Sequence, residues 1–136
     1  MHQQIFVNLP VRDLQRSRAF FERMGYAFNP QFSNDQGACL VLGENLHAML
    51  LVHDFFKGFT AKPIADAREV SEVLVCMSCD SREQVDALVA KAVAAGGTTP
   101  RAPQDHGFMY AHGFEDLDGH IWELVAMTGE MPPAAA

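Results

Sequence analysis

The sequence predicts an α+β fold made of two paired βαβββ modules, whose curved, half-open mixed β-sheet encloses a cavity flanked by helices. A strand, a helix and three short strands follow each other twice along the chain. The second copy begins about 68 residues after the first, so that Phe6 corresponds to Leu74 and Asn8 to Cys76. The 136 residues are 49% hydrophobic, which is ordinary for one folded domain. One such sheet cannot cover both of its faces, so we expect two to enclose a ligand cavity.

The first module spans about residues 5–53. Ile5 to Val11 alternates in polarity and predicts a strand that ends near Pro10. Asp13 stands where a helix N-cap belongs and Gly25 where the helix stops. Apolar residues between them recur at helical spacing: Leu14, Phe20, Phe21 and Met24. Turn-forming sequences then separate three short predicted strands at 27–32, 38–42 and 47–53.

A connector at 54–70 has no apolar periodicity, and the same order of elements then returns over 71–126. A strand is predicted at 71–78, and Ser81 with Gln84 forms a capping box. The helix stripe that follows is Val85, Leu88, Val89, Ala92 and Val93. Further strands are predicted at 98–101, 109–114 and 121–126. We therefore expect one domain over 1–126 and a flexible tail at 127–136.

Charge and cysteine content exclude several classes of protein. Ten basic and seventeen acidic residues give a net charge of −7 without a Lys/Arg cluster, which disfavours nucleic acid and anionic membranes as partners. No apolar stretch approaches the roughly 20 residues of a membrane span, and residues 1–4 do not resemble a signal peptide. Three cysteines, an odd number, indicate reduced thiols and a cytoplasmic protein. Cys76 and Cys79 would lie on opposite faces of a strand, which favours a buried structural Cys76 over a redox pair.

Two motifs carry a resemblance to a known family. They are the opening segment 11–21 (VRDLQRSRAFF) followed by Gly25, and the closing segment 116–124 (DLDGHIWEL). Together with the repeated βαβββ pattern, they look like the vicinal oxygen chelate superfamily of glyoxalase I, bleomycin resistance proteins and extradiol dioxygenases. The resemblance covers residues 5–126. It implies a small-molecule ligand and a homodimer.

Many members of that superfamily hold a divalent ion such as Zn, Ni, Fe or Mn with side chains of the first and last strand of each module. Position by position, these ligands fall here on Phe6, Leu50, Leu74 and Glu123. Only Glu123 can bind a metal, whereas a catalytic site needs about three protein ligands. We therefore expect no metal site and predict no cofactor.

Glu123 is the candidate catalytic residue. Alternation in the last strand places it with Ile121 and Val125 inside the cavity, where a carboxylate suits a general base or a hydrogen-bond acceptor. Two alternative interpretations have equal weight. Glu123 is a relic carboxylate without a function that accepts a hydrogen bond from Asn8 or Tyr110, or it lies in a dimer interface. The candidate ligand-binding residues are Phe6, Asn8, Leu50, Leu74, Phe108, Tyr110 and His112. The remaining histidines that we considered, His2, His47, His53 and His120, are interpreted as surface or turn residues.

Three hypotheses about function remain open. The first is a metal-independent protein that binds a small organic molecule, either sequestering it or acting on it with Glu123. The second is a metal-dependent lyase, isomerase or dioxygenase, lactoylglutathione lyase-like, that uses a displaced set such as Glu72, His112 and Glu123. The third is a small non-catalytic module. The negative charge of the chain argues against a strongly acidic ligand unless Arg12, Arg101 or Lys62 points inward.

Overall fold

A computed structural model describes residues 1–134, and the chain divides into two compact units, one at residues 1–66 and one from residue 67 onward. Each unit contains one four-stranded mixed sheet and one long helix in the order βαβββ. The predicted fold class is therefore confirmed. The units are called the first and the second module below.

The first module has its strands in the spatial order β1-β4-β3-β2. Its elements are β1 (Ile5–Val11), α1 (Leu14–Arg23), β2 (Ala27–Asn29), β3 (Gly37–Gly43) and β4 (Leu46–Val52). β1 is parallel to β4, and the other pairs are antiparallel. As predicted, a side-chain oxygen of Asp13 accepts a hydrogen bond from the Arg16 backbone N–H at 3.1 Å and begins α1.

The segment after β4 is partly helical. A short helix, α2 (His53–Phe56), and a single 3-10 turn (Lys57–Phe59) precede an irregular stretch that reaches β5. The rings of Phe55 and Phe59 meet edge to face at 5.3 Å. An ion pair of 2.9 Å between Arg12 and Asp66 joins the middle of this stretch to the residue before the N-cap of α1. The connector therefore lacks regular structure after residue 59, as expected, whereas its first residues are helical.

The second module repeats the arrangement with the spatial order β5-β8-β7-β6. Its elements are β5 (Leu74–Cys79), α3 (Arg82–Ala94), β6 (Gln104–Asp105), β7 (Met109–Glu115) and β8 (Ile121–Met127). The Ser81 hydroxyl accepts from the Gln84 N–H at 3.1 Å, while the Gln84 side chain accepts from the N–H of Asp80 rather than of Ser81. The predicted capping box is thus present in a shifted form.

Three predicted boundaries in this module are wrong. The strand predicted at 71–78 begins only at Leu74. The segment 98–101 is not a strand: only Thr98 makes a bridge, to Glu115, and β6 lies instead in the predicted turn at 104–105. The tail does not begin at residue 127, since Met127 belongs to β8 and the backbone N–H groups of Thr128 and Gly129 donate to the Phe108 carbonyl. Residues 130–134 are exposed without regular structure, and the rest of the predicted tail lies outside the described residues.

The turn before β8 is organised by a buried carboxylate. One oxygen of Asp116 accepts from the backbone N–H groups of Asp118 at 2.9 Å and His120 at 3.0 Å. Its other oxygen accepts from the indole N–H of Trp122 at 3.0 Å. Gly119 has a φ of +89°, and a Cβ there would stand 2.8 Å from the Arg68 backbone nitrogen. These contacts fix where β8 begins and which of its residues face the helix.

Strand alternation gives each sheet a helix face, packed on α1 or α3, and a far face that points away from that helix. In β8 the fully buried residues Trp122, Leu124 and Ala126 occupy the helix face. Ile121, Glu123 and Val125 therefore occupy the far face. No helix among the described residues is long and apolar enough to cross a membrane.

Candidate functional site

Glu123 lies on the far face of the second module, as its alternation with Ile121 and Val125 predicts. It pairs with Cys76 of β5 on one side and with Gly113 of β7 on the other. Its side chain is half-buried. Within residues 1–134 its carboxylate has neither a hydrogen bond nor an ion pair. Two strands thus hold a carboxylate in place and leave its oxygens available.

A cleft of about 70 Å³ includes this carboxylate. Its floor is formed by β7 and β8 at Gly113, Ile121 and Glu123, and its wall is the segment before and at β6, which contributes Arg101 and Gln104. Arg101 is one of the three cations that the sequence left open as inward-pointing. Gln104 was missed because its segment was assigned to a turn, and no local signal identifies it.

The absence of a side chain at Gly113 leaves room for Glu123. A Cβ at this position would stand 2.9 Å from the Trp122 carbonyl oxygen and 3.7 Å from Cγ of Glu123. The first of these contacts is with backbone, which cannot move without displacing β8. A small residue is therefore needed where β7 passes Glu123.

We expect Gly113→Ala to lower the free energy of unfolding by about 1–3 kcal/mol, the usual cost of overpacking. Urea unfolding followed by circular dichroism measures it. Gly58→Ala is the matched control because a Cβ at Gly58 meets nothing within 4 Å. Equal stabilities of the two variants would contradict the close approach between β7 and β8.

Cys76 faces the same side as Glu123, contrary to the prediction that it is buried. The residue is exposed, and its pKa is raised by partial burial of the thiol and by the negative charge of Glu123. At neutral pH the thiol therefore stays protonated and is a weak hydrogen-bond donor. Cys79 alternates to the other face, so the two sulfurs do not form a redox pair.

In the first module the structure corrects the predicted position in β4. Phe6 and Asn8 lie on the far face, where Phe6 pairs with His47 and Asn8 with Met49. Leu50 pairs with Leu9 instead and is fully buried on the helix face. Leu50 is therefore not a cavity residue, and Met49 occupies the position assigned to it.

His47 was interpreted as a surface residue and is instead buried on the far face. Its ring stacks on Phe6 with centroids 4.8 Å apart, and its Nδ1 lies 3.9 Å from the Cys39 sulfur. His120 is likewise buried, next to Asp116 in the turn before β8. The burial of His47 depends on residues that are distant in sequence, and the burial of His120 depends on a turn. Hydropathy therefore does not predict either.

Tyr110 and His112 are also corrected, because they lie on the helix face of β7. The Tyr110 hydroxyl donates to Asp86 of α3 at 2.6 Å, and this bond, followed by burial, raises the tyrosine pKa. His112 borders the cleft, but it pairs with Leu124, so its side chain leaves the strand on the helix face. Phe108 precedes β7 and packs near the His106 ring at 6.3 Å. None of the three aromatic rings belongs to the group around Glu123.

The residues present do not fit a divalent ion. With Met49 in place of Leu50, the superfamily's four positions are Phe6, Met49, Leu74 and Glu123, which supply one carboxylate. The displaced set fails as well, since Glu72 is exposed ahead of β5 and His112 points to the other face. Within residues 1–134 no group of three or more His, Cys, Asp or Glu side chains could hold a metal.

A second concavity lies on the first module beside the exposed rings of Phe55 and Phe59. Its volume of about 450 Å³ exceeds that of the cleft, but Asp54 is the one charged residue in its lining. Its lining comes mainly from α2 and the 3-10 turn that follows it. The cleft at Glu123, whose lining includes both an acidic residue and Arg101, is therefore the stronger candidate site.

Comparisons with known proteins bear on the first module and on the whole fold. Residues 3–43 match the sequence model of a family described as bleomycin resistance protein-like N-terminal. A search of curated proteins found no match. The chain is similar to the solved structure of hypothetical protein SA1046 from S. aureus, with 28% identity, coverage of 93% of this chain and 95% of that chain, and a TM-score of 0.78.

Two further structures carry descriptions of activity. A glyoxalase-related enzyme from Fulvimarina pelagi has 22% identity and a TM-score of 0.78 over 99% of this chain and 100% of that chain. The fosfomycin resistance protein FosX from Listeria monocytogenes has 21% identity and a TM-score of 0.67 over 97% and 96%. At these identities the likeness shows the fold. The resemblance drawn from the two motifs is confirmed: this chain has the fold of the vicinal oxygen chelate superfamily, and its N-terminal part matches a bleomycin resistance protein-like family.

Proposed function

We propose that the second module binds a small organic molecule in the cleft on its far face, without the superfamily's divalent ion. Glu123 accepts a hydrogen bond from the bound molecule. One observation carries the proposal: the Glu123 carboxylate is half-buried at the floor of a cleft and has no hydrogen-bond or ion-pair partner within residues 1–134. A carboxylate withdrawn from water gains most from a donor that enters the cleft with the ligand.

The competing interpretation of Glu123 as a relic satisfied by Tyr110 has lost its support. The Tyr110 hydroxyl already donates to Asp86 on the other side of the sheet. Cys76 is the residue of β5 that pairs with Glu123, and the raised pKa of its thiol keeps it neutral. Glu123 therefore has no basic side chain beside it in the sheet to neutralise it.

The named relatives suggest what the binding achieves. A bleomycin resistance protein-like match and a fosfomycin resistance protein among similar structures favour binding of a small organic molecule. If the protein also transforms its ligand, Glu123 is the group placed to remove a proton from it. A metal-dependent lyase, isomerase or dioxygenase is the weaker candidate, because the described residues do not bring its displaced ligand set together.

We further propose a cytoplasmic homodimer. Three free cysteines support a reducing compartment. Apolar side chains that are about half exposed on the outer strands β1 and β5, namely Ile5, Phe6 and Leu74, support self-association. Light scattering of the purified protein measures the mass in solution.

We expect uncharged hydrogen-bond donors such as phenol and indole, added to the isotopically labelled protein, to shift the backbone amide resonances of Gly113, Ile121 and Glu123. Glu123→Gln should weaken this binding about tenfold or more, since a hydrogen bond to a charged group contributes about 1.5–3 kcal/mol. Two-dimensional amide NMR gives the affinity and the location together.

Glu115→Gln is the matched control for this experiment. Glu115 also lies on the far face of the sheet but already accepts a hydrogen bond from Thr98. Its replacement should leave probe binding unchanged. Two results would overturn the proposal: no probe perturbs the cleft amides, or the protein binds stoichiometric Zn²⁺ or Ni²⁺ that Glu123→Ala abolishes.

A further inference from the structure

We propose that the cleft selects molecules in which a small anionic group lies next to an O–H or N–H donor, as in a 2-hydroxy or 2-amino carboxylate. Arg101 binds the anionic group, and Glu123 accepts from the adjacent donor. The inference rests on the proposed function and adds to it a specificity-determining residue and a class of ligand.

The first support is a pair of opposite charges that share the cleft without touching. Arg101 and Glu123 both line it, yet no ion pair of 4.0 Å or less joins them. Within residues 1–134, Arg101 also makes no hydrogen bond or ion pair elsewhere. Arg82, also in the second module, differs in this respect, since it pairs with Asp105 at 3.0 Å. A ligand that carries both an acceptor and a donor bridges the gap that the two side chains leave.

The second support is the type of cation. A guanidinium offers parallel N–H groups that match the two oxygens of a carboxylate, whereas the chain as a whole, at −7, repels anions. An anionic ligand therefore needs a local positive group at its site. Arg101 supplies that group on the wall of the cleft, and the Gln104 amide beside it offers an additional donor.

The third support is size. The cleft volume of about 70 Å³ is several-fold smaller than the roughly 300–1,000 Å³ of pockets that enclose drug-sized ligands, so it suits a small chemical group. Ala111 and Ile121 supply apolar surface between the charged groups. Glycolate and glycine each have five non-hydrogen atoms and carry the required pair of groups. A larger ligand would place this end of itself in the cleft.

Four probes separate the two interactions in amide NMR titrations at fixed ionic strength: glycolate, glycine, acetate and ethylene glycol. Acetate lacks the donor, and ethylene glycol lacks the charge. We expect glycolate or glycine to bind at least about tenfold more tightly than either of these, with shifts at Ala111, Gly113 and Ile121. Glu123→Gln should bring glycolate down to the affinity of acetate.

Arg101→Gln should weaken glycolate binding about tenfold or more and should affect phenol or indole binding much less, because these probes carry no anionic group. Arg101→Lys keeps the positive charge but loses the parallel N–H groups of the guanidinium. Its affinity for glycolate should lie between those of the wild type and Arg101→Gln. Arg16→Gln is the control for net charge, because Arg16 is an exposed residue of α1. If Arg16→Gln weakens glycolate as much as Arg101→Gln does, or if glycolate shifts amides outside the cleft, the inference is wrong.

The two proposals fail in different ways. If neither the uncharged probes nor glycolate reaches the cleft amides, the proposed function itself fails. If phenol or indole binds in the cleft but the affinity for glycolate does not change on substitution of Arg101, the proposed function stands and only the anionic ligand class is wrong.

Discussion

Asp116→Ala should lower the free energy of unfolding by about 3 kcal/mol. The carboxylate is buried and accepts three hydrogen bonds, from two backbone N–H groups of its own turn and from the Trp122 indole. Removal leaves these donors without their acceptor, at about 1–3 kcal/mol for each one that water cannot reach. Urea unfolding measures the loss, and Trp122, the single tryptophan of the chain, reports it by fluorescence.

Asp116→Asn separates the shape of this group from its charge. The amide oxygen still accepts from Asp118 and His120, but the amide N–H₂ now faces the donor N–H of Trp122. We expect a smaller loss than for alanine. Asp35→Ala, at an exposed turn position, should stay within about 0.5 kcal/mol of the wild type. An Asp116→Ala protein as stable as the Asp35 variant would contradict the role of this carboxylate.

The Asp116 carboxylate also predicts a pH dependence. Burial raises its pKa, although the charge of His120 and the bond from Trp122 act in the opposite direction and Asp118 adds repulsion. With the folded pKa above the unfolded value of about 3.9, the native state binds the extra proton between the two values. The pH-dependent part of the stability is therefore complete below that window and is lost as pH rises through the folded pKa, whereas the three hydrogen bonds that Asp116 accepts are kept by the ionised carboxylate. The difference between wild type and Asp116→Asn should shrink accordingly.

The sequence allowed most of the fold to be predicted, because local chemistry decides many boundaries. Asp13 and Ser81 accept from the first turns of α1 and α3, and Gly25, with a φ of +102°, follows the end of α1. β6 could not be predicted in the same way. Its two residues pair with β7 through backbone bonds, so the partner strand rather than side-chain propensity decides where it lies.

The candidate site was predictable in strands whose residues alternate in polarity, and it was not predictable elsewhere. Trp122 and Leu124 flank Glu123 as large apolar residues, so the face of Glu123 followed from sequence. β4 is apolar on both faces, which left Met49 and Leu50 indistinguishable, and a slip of one residue exchanges the faces. Arg101 belongs to an irregular segment, so only the folded chain shows that it shares a cleft with Glu123.

Trp122→Ala should lower the free energy of unfolding most, by about 3–5 kcal/mol, because it leaves a cavity in place of the largest fully buried side chain. The indole lies parallel to the Phe114 ring, with centroids 6.3 Å apart, and its N–H is held by Asp116. Trp122→Phe should cost less because it retains part of the packing. Phe59→Ala, at a ring that is 64% exposed, should be nearly neutral. Circular dichroism replaces fluorescence as the probe in these variants.

The interaction between Trp122 and Asp116 can be isolated in a double-mutant cycle. Trp122→Phe and Asp116→Ala each remove the indole–carboxylate bond, so their losses should sum to more than that of the double variant, by about 0.5–3 kcal/mol. Strict additivity would mean that the bond contributes nothing to the turn. A coupling of this size would tie the site to the core, because Glu123 follows Trp122 directly in β8 and points to the opposite face. The buried indole and its carboxylate then hold the strand register that presents Glu123 to the cleft.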